Sequence, residues 1–133
     1  MKQQANVAVI GSGYWGKNLV RNYHQLGALK LICDKNKTIL SNFREQYPDV
    51  EKCLALNDVL SRKNIHGVVI ATPAETHHTL AREALLAGKH VYVEKPLVLD
   101  EKNGEELIEL ALQNNSVLMV GHLLRYHPVW LPT

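Results

Sequence analysis

Asn6-Val7-Ala8-Val9-Ile10-Gly11-Ser12-Gly13-Tyr14-Trp15-Gly16 is the stretch on which the fold turns. Its first half is short, apolar and rich in β-branched residues, and a glycine ends it, as in a strand buried on both faces of a parallel sheet. Its second half is a GxGxxG that opens a helix. In that setting Gly11 makes the tight turn, Gly13 leaves room for a pyrophosphate beside the backbone, and Gly16 lets the helix pack closely on the strand. The helix N-terminus offers unpaired N–H groups and a partial positive charge to the phosphates. Tyr14 and Trp15 fill the free positions, where Trp15 packs against either the helix or the cofactor.

The next strand, Leu29 to Cys33, ends in Asp34, where the dinucleotide fold places an acid on the adenosine ribose. A plain tight turn does not require three glycines at this spacing, and the alternative of Asp34 as a solvated loop acid loses weight once those glycines are counted. The combination predicts a dinucleotide site and favours NAD over NADP, because the Asp34 carboxylate repels a 2′-phosphate. Lys35 beside it offsets part of that repulsion.

Outward from this point the pattern repeats. Strand-like runs recur at Val68 to Ala71, His90 to Val93 and Val117 to Val120, with a shorter one at Val50 to Cys53 that is regular or irregular. Between them lie stripes at helical spacing: Gly16, Leu19, Val20 and Tyr23; Leu80, Ala81, Ala84 and Leu85; Leu107, Leu110 and Ala111. Pro48 stops the helix that begins near Lys37, Gly88 supplies a left-handed helix end, and Asp100 is placed to cap the helix through Asn114. Alternating strand and helix with short joints predicts an α/β fold, a Rossmann-type doubly wound parallel sheet covered on both sides.

Composition agrees. The chain has 133 residues, 46% hydrophobic and 21% charged, enough for one domain with a real core. Its net charge of +2 comes from scattered basic residues, which argues against nucleic acid or a membrane surface as partner and for a small molecule. No apolar run approaches the roughly 20 residues of a membrane span, and Met1-Lys2-Gln3-Gln4 shows no signal-peptide core, so a cytoplasmic location is expected. Cys33 and Cys53 sit in apolar stretches and read as small buried hydrophobes.

Ala71-Thr72-Pro73-Ala74-Glu75-Thr76-His77-His78, followed by Ala87-Gly88-Lys89-His90-Val91-Tyr92-Val93-Glu94-Lys95-Pro96-Leu97, resembles the Gfo/Idh/MocA oxidoreductase family, as does Gly11 to Gly16 with Asp34. Within it, Gly13 to Asn18, His24 to Leu29 and Val120 to Pro128 most resemble nucleotide-sugar dehydrogenases that oxidise the carbon-three hydroxyl of UDP-N-acetylglucosaminuronic acid. The resemblance implies an enzyme that passes hydride from a sugar or nucleotide-sugar hydroxyl to NAD. It also implies a second, larger α/β domain that carries much of the substrate site and the contacts of a homo-oligomer. On that expectation residues 1–121 are the NAD-binding domain, 122–133 begin the linker, and the substrate domain is absent from these residues. A dinucleotide-binding module without catalysis is the alternative.

The resemblance makes Lys95 of Glu94-Lys95-Pro96 the catalytic lysine, at the C-terminal end of a strand where α/β sheets build their sites, with Pro96 in the cis form aiming it. Glu94 beside it, and Lys95 itself, count with the cofactor residues as well. It passes the cofactor along Thr72 and Pro73, while Glu75 and Thr76 serve either the cofactor or the cap of the following helix. His77 is expected to line the cofactor cleft. His77 and His78, adjacent on a helix, point in different directions and are not a metal pair, so no metal is expected. Arg125 and His127 stand where the family chain leaves the Rossmann sheet, facing the nicotinamide or an anionic substrate.

Overall fold

A computed structural model describes residues 6–11, 16–93, 101–120 and 124–126. Its sheet has seven strands: β1 (Val7–Ile10), β2 (Leu29–Cys33), β3 (Glu51–Cys53), β4 (Gly67–Ile70), β5 (His90–Val93), β6 (Leu118–Val120) and β7 (Leu124–Tyr126). Their spatial order is β3-β2-β1-β4-β5-β6-β7. The first six are parallel, and β7 runs antiparallel to β6 with Arg125 opposite Met119. The expected parallel sheet is therefore present, with an antiparallel edge that the sequence pattern did not announce. The doubtful run at Val50 to Cys53 forms a regular three-residue edge strand in register with β2.

Helices α1 (Gly16–Gln25), α2 (Lys37–Gln46), α3 (Leu56–Leu60), α4 (His77–Leu86) and α5 (Glu101–Gln113) cover the two faces. Strand periodicity decides which side chains they meet. Val7 and Val9 point to one face, where Val20 of α1 and Leu40 and Phe43 of α2 close over them. Ala8 and Ile10 point to the other, against Val59 of α3, Ala81, Ala84 and Leu85 of α4, and Leu107 and Ala111 of α5. Between Val7 and Ala8 the register with β2 jumps from Leu29 to Leu31, skipping Lys30. That one-residue slip explains why Leu29 joins the α1/α2 face although Leu31 and Cys33 pack on the opposite one.

Local signals place the ends. Asn36 caps α2, its Oδ1 accepting from the N–H groups of Thr38 at 2.9 Å and Ile39 at 3.2 Å. The helix ends at Gln46, ahead of Pro48. Gly88 has φ +80°, the left-handed end that its place after α4 predicts. The proposed Asp100 cap lies outside the described residues. Helix α3 carries no periodic signal because a five-residue helix is little more than one turn.

At the N-terminal end of β5, Lys89 is only 6% exposed, and its Nζ donates to the carbonyls of Arg62 at 2.6 Å and Ile65 at 2.7 Å. Burial pulls this ammonium below the ordinary lysine range. The lysine of the Gly88-Lys89-His90-Val91 segment is thus a tie between the loop before β4 and the start of β5. No helix among the described residues is long and apolar enough to cross a membrane.

Candidate functional site

In the strand order β3-β2-β1-β4 the chain winds outward from β1 in one direction and then restarts beside it in the other. The loops after β1 and β4 therefore leave the sheet on opposite faces, and a crevice opens between them at the carboxyl ends of the strands. A cleft of about 660 Å³ occupies that place. Ile10 and Gly11 line it from β1, Cys33, Asp34 and Lys35 from β2, and Ala71, Thr72 and Pro73 from β4. Ile39, Leu54, Leu56 and Leu80 add apolar walls, and Thr76 a hydroxyl.

Gly11 has φ +82°, a backbone state that L side chains rarely adopt. Its N–H donates to the Cys33 carbonyl at 2.8 Å, and Ile10 O accepts from Ala71 N at 2.9 Å, so both neighbouring strand ends are tied to the glycine turn. Asp34 is anchored in turn. Its N–H donates to Cys53 O at 3.1 Å, and its Oδ1 accepts from Asn36 N at 2.9 Å, an Asx turn that leads into the α2 cap. Beneath it Cys33 and Cys53 are register partners, buried and without a disulfide. Burial pushes the Cys33 thiol up to about 12 and raises Cys53 as well, so both stay protonated. This agrees with reading them as small hydrophobes.

Beyond Pro73 a single 3₁₀ turn, Ala74–Thr76, runs directly into α4. Thr76 gives no side-chain cap to that helix; its hydroxyl lies 2.6 Å from both the Pro73 carbonyl and the Thr72 hydroxyl. His77 departs from expectation. It does not line the cleft but lies 2% exposed, with Nε2 donating to the Thr72 carbonyl at 2.8 Å. The physical reason is its position on the inward face of α4, above Ala81, Ala84 and Leu85, each 0% exposed. His78 points away from it, to Glu106 Oε1 of α5 at 2.5 Å, and Arg82 holds Glu106 Oε2 at 3.2 Å. Among the described residues no three His, Cys, Asp or Glu side chains gather as metal ligands.

Of the residues singled out in the sequence, then, Gly11, Asp34, Lys35, Thr72, Pro73 and Thr76 converge on one cleft. Gly16 is buried as the first residue of α1. Arg125 stands on β7, three strands beyond β4 in the sheet order. Gly13, Tyr14, Trp15, Glu94, Lys95, Pro96 and His127 lie outside the described residues. The sequence reading missed the apolar wall of Ile39, Leu54 and Leu56, whose spacing carries no motif.

The cleft suits a dinucleotide on its own features. It combines a carboxylate acceptor, a side-chain-free strand end and apolar flanks of the kind that enclose a flat purine.

Comparison with known proteins follows the same line. Residues 5–122 match the oxidoreductase family described as having an NAD-binding Rossmann fold, Gfo/Idh/MocA. The UDP-N-acetylglucosamine 3-dehydrogenase of Acidithiobacillus ferrooxidans is 32% identical over 125 residues, which is 90% of this chain and 37% of that protein. Among solved structures, GenD2 from gentamicin A biosynthesis, in complex with NAD, superimposes with a TM-score of 0.84 at 28% identity over 91% of this chain and 35% of its own. The WlbA dehydrogenase from Bordetella pertussis, in complex with NADH and UDP-GlcNAcA, gives 0.81 at 27% identity over 89% and 37%. The chain thus spans little more than a third of the length of these relatives. With the glycine turn, the switch-point cleft and the family match in agreement, this chain belongs to the Gfo/Idh/MocA oxidoreductase family, over the part that forms its NAD-binding Rossmann fold.

Proposed function

We propose that these residues form the NAD-binding half of a dehydrogenase that oxidises a hydroxyl of a sugar or nucleotide-sugar. The observation that carries the reading is the convergence of Gly11, Asp34 and Thr72 on the cleft at the sheet's switch point. When bound there, NAD supplies the hydride acceptor. The chain's own residues supply the rest. Asp34, held by Asn36, accepts from ribose hydroxyls and disfavours a 2′-phosphate. Gly11 keeps the strand end free of side-chain bulk.

For Lys95 we propose the catalytic role, taking or sharing the proton of the reacting hydroxyl. Glu94, Gly13, Tyr14 and Trp15 complete the cofactor contacts, and Arg125 faces the nicotinamide or an anionic substrate. The nucleotide-sugar reading draws support from the named substrates of the relatives. Residues 122–133 then lead toward a substrate domain that also carries the contacts between subunits.

Calorimetric titration of this chain with NAD and NADP, and nucleotide-sugar oxidation by a protein that includes the substrate domain, test the proposal. Binding of NAD tighter than NADP is expected, with oxidation lost in Lys95→Met and NAD affinity within a few-fold of the parent. Equal or tighter NADP affinity, or full turnover by Lys95→Met, refutes it.

A further inference from the structure

We infer that His77 is a positioning residue for the cleft, and that with Thr76 it fixes which way the Thr72 hydroxyl faces. The inference rests on the dinucleotide reading only for what occupies the cleft. A carbonyl can only accept, so the 2.8 Å contact between His77 Nε2 and Thr72 O requires the proton to sit on Nε2. The ring is the first residue of α4, and α4 is anchored by Ala81, Ala84 and Leu85, all fully buried. Thr72 and Pro73 lie beyond the last ladder residue of β4, Ile70, where no strand pairing holds them. The His77 bond ties this irregular backbone to a rigid helix, and the Thr72 methyl thereby stays against Gly11.

Thr76 adds polarity to the arrangement. Its hydroxyl carries one proton and lies 2.6 Å from two oxygens, the Pro73 carbonyl and Thr72 Oγ1. Since the carbonyl cannot donate, the chain is satisfied only if Thr76 donates to Pro73 O and Thr72 donates to Thr76 Oγ1. The Thr72 proton is then committed, and its oxygen presents lone pairs to the cleft. That oxygen suits a donor on the ligand, such as a hydroxyl or carboxamide N–H, and does not suit a phosphate oxygen.

The test compares His77→Phe, which keeps the bulk and loses the donor, with His77→Gln, whose amide nitrogen replaces Nε2–H. Amide hydrogen exchange in the free chain reads the loop directly, because Thr76 N donates to Pro73 O within it. NADH titration reads the cleft. In His77→Phe, Thr76 exchange is expected to rise about tenfold and NADH affinity to fall about tenfold, while His77→Gln restores both to within about threefold. Should His77→Phe fail to fold, Thr76→Val retains the imidazole and removes the hydroxyl relay, with an expected threefold to tenfold loss of NADH affinity, roughly the range for one hydrogen bond. Parental exchange and affinity in His77→Phe, or a glutamine that rescues neither, overturns the inference. If the exchange pattern follows but the parent chain takes up no NADH, the positioning role stands and the cofactor reading falls.

Discussion

The Thr72 methyl occupies the space that a side chain on Gly11 would need: a Cβ at residue 11 would sit 2.6 Å from Thr72 Cγ2 and 3.1 Å from the backbone of Ala71 and Thr72. Residue 11 is constrained twice, by its positive φ and by its neighbour. Gly11→Ala is therefore expected to cost about 2–4 kcal/mol of stability, from left-handed backbone strain and overpacking together. Adding Thr72→Ser removes the methyl but neither the backbone contacts nor the φ, so the double variant should recover only part of the loss. Urea denaturation of the three proteins checks this, and complete recovery would show that neither the backbone contacts nor the backbone strain contributes.

Asp34 has two tasks that one substitution can separate. Its Oδ1 holds the Asn36 N–H, and in the proposed function its charge disfavours a 2′-phosphate. Asp34→Asn keeps an oxygen for the turn and removes the charge, whereas Asp34→Ala removes both. Both variants should narrow the preference for NAD over NADP by about tenfold or more. Only Asp34→Ala should also lower the melting temperature, since it loosens the lead into the α2 cap. Titration with the two cofactors and thermal melts separate the effects.

Much of this was legible because the fold depends on short-range patterns. Four consecutive buried residues in β1, a glycine turn and three helical stripes determine which segments pair and which faces they cover. What escaped was set by contacts between distant segments. His77 is an exception, because its inward turn follows from the phase of α4 that the stripe of Ala81, Ala84 and Leu85 already sets. Lys89 carries no role of its own in the sequence pattern, and its burial exists because the carbonyls of Arg62 and Ile65 converge on it from another loop. The antiparallel pairing of β7 leaves no trace in a three-residue run.

Lys89 and the cleft lie at opposite ends of the parallel strands, so stability and binding should separate there. Lys89→Met keeps the aliphatic stem but leaves two carbonyls short of a donor. A loss of about 1–3 kcal/mol is expected, with NAD affinity unchanged. A urea midpoint equal to the parent's would mean that the carbonyls find other partners, and a fall in affinity alone would mean that the strand end transmits to the cleft.

Glu106 gives the α4/α5 contact a pH dependence whose sign is fixed. The hydrogen bond from His78 first, and then that from Arg82, hold its carboxyl below the usual carboxylate range. The folded chain therefore releases this proton more readily than the unfolded chain does. Its stabilisation is complete above the unfolded value of about 4.3 and is lost as pH falls through the lower folded value. Glu106→Gln should melt below the parent at pH 7, and the gap should shrink steadily once the pH drops under about 4.3. The carboxylate is half exposed to solvent, so added salt should narrow the gap at pH 7 as well. Melting curves of both proteins between pH 7 and 3 provide the check, and a gap that stays constant across that range would show that the two proteins differ in packing rather than in charge.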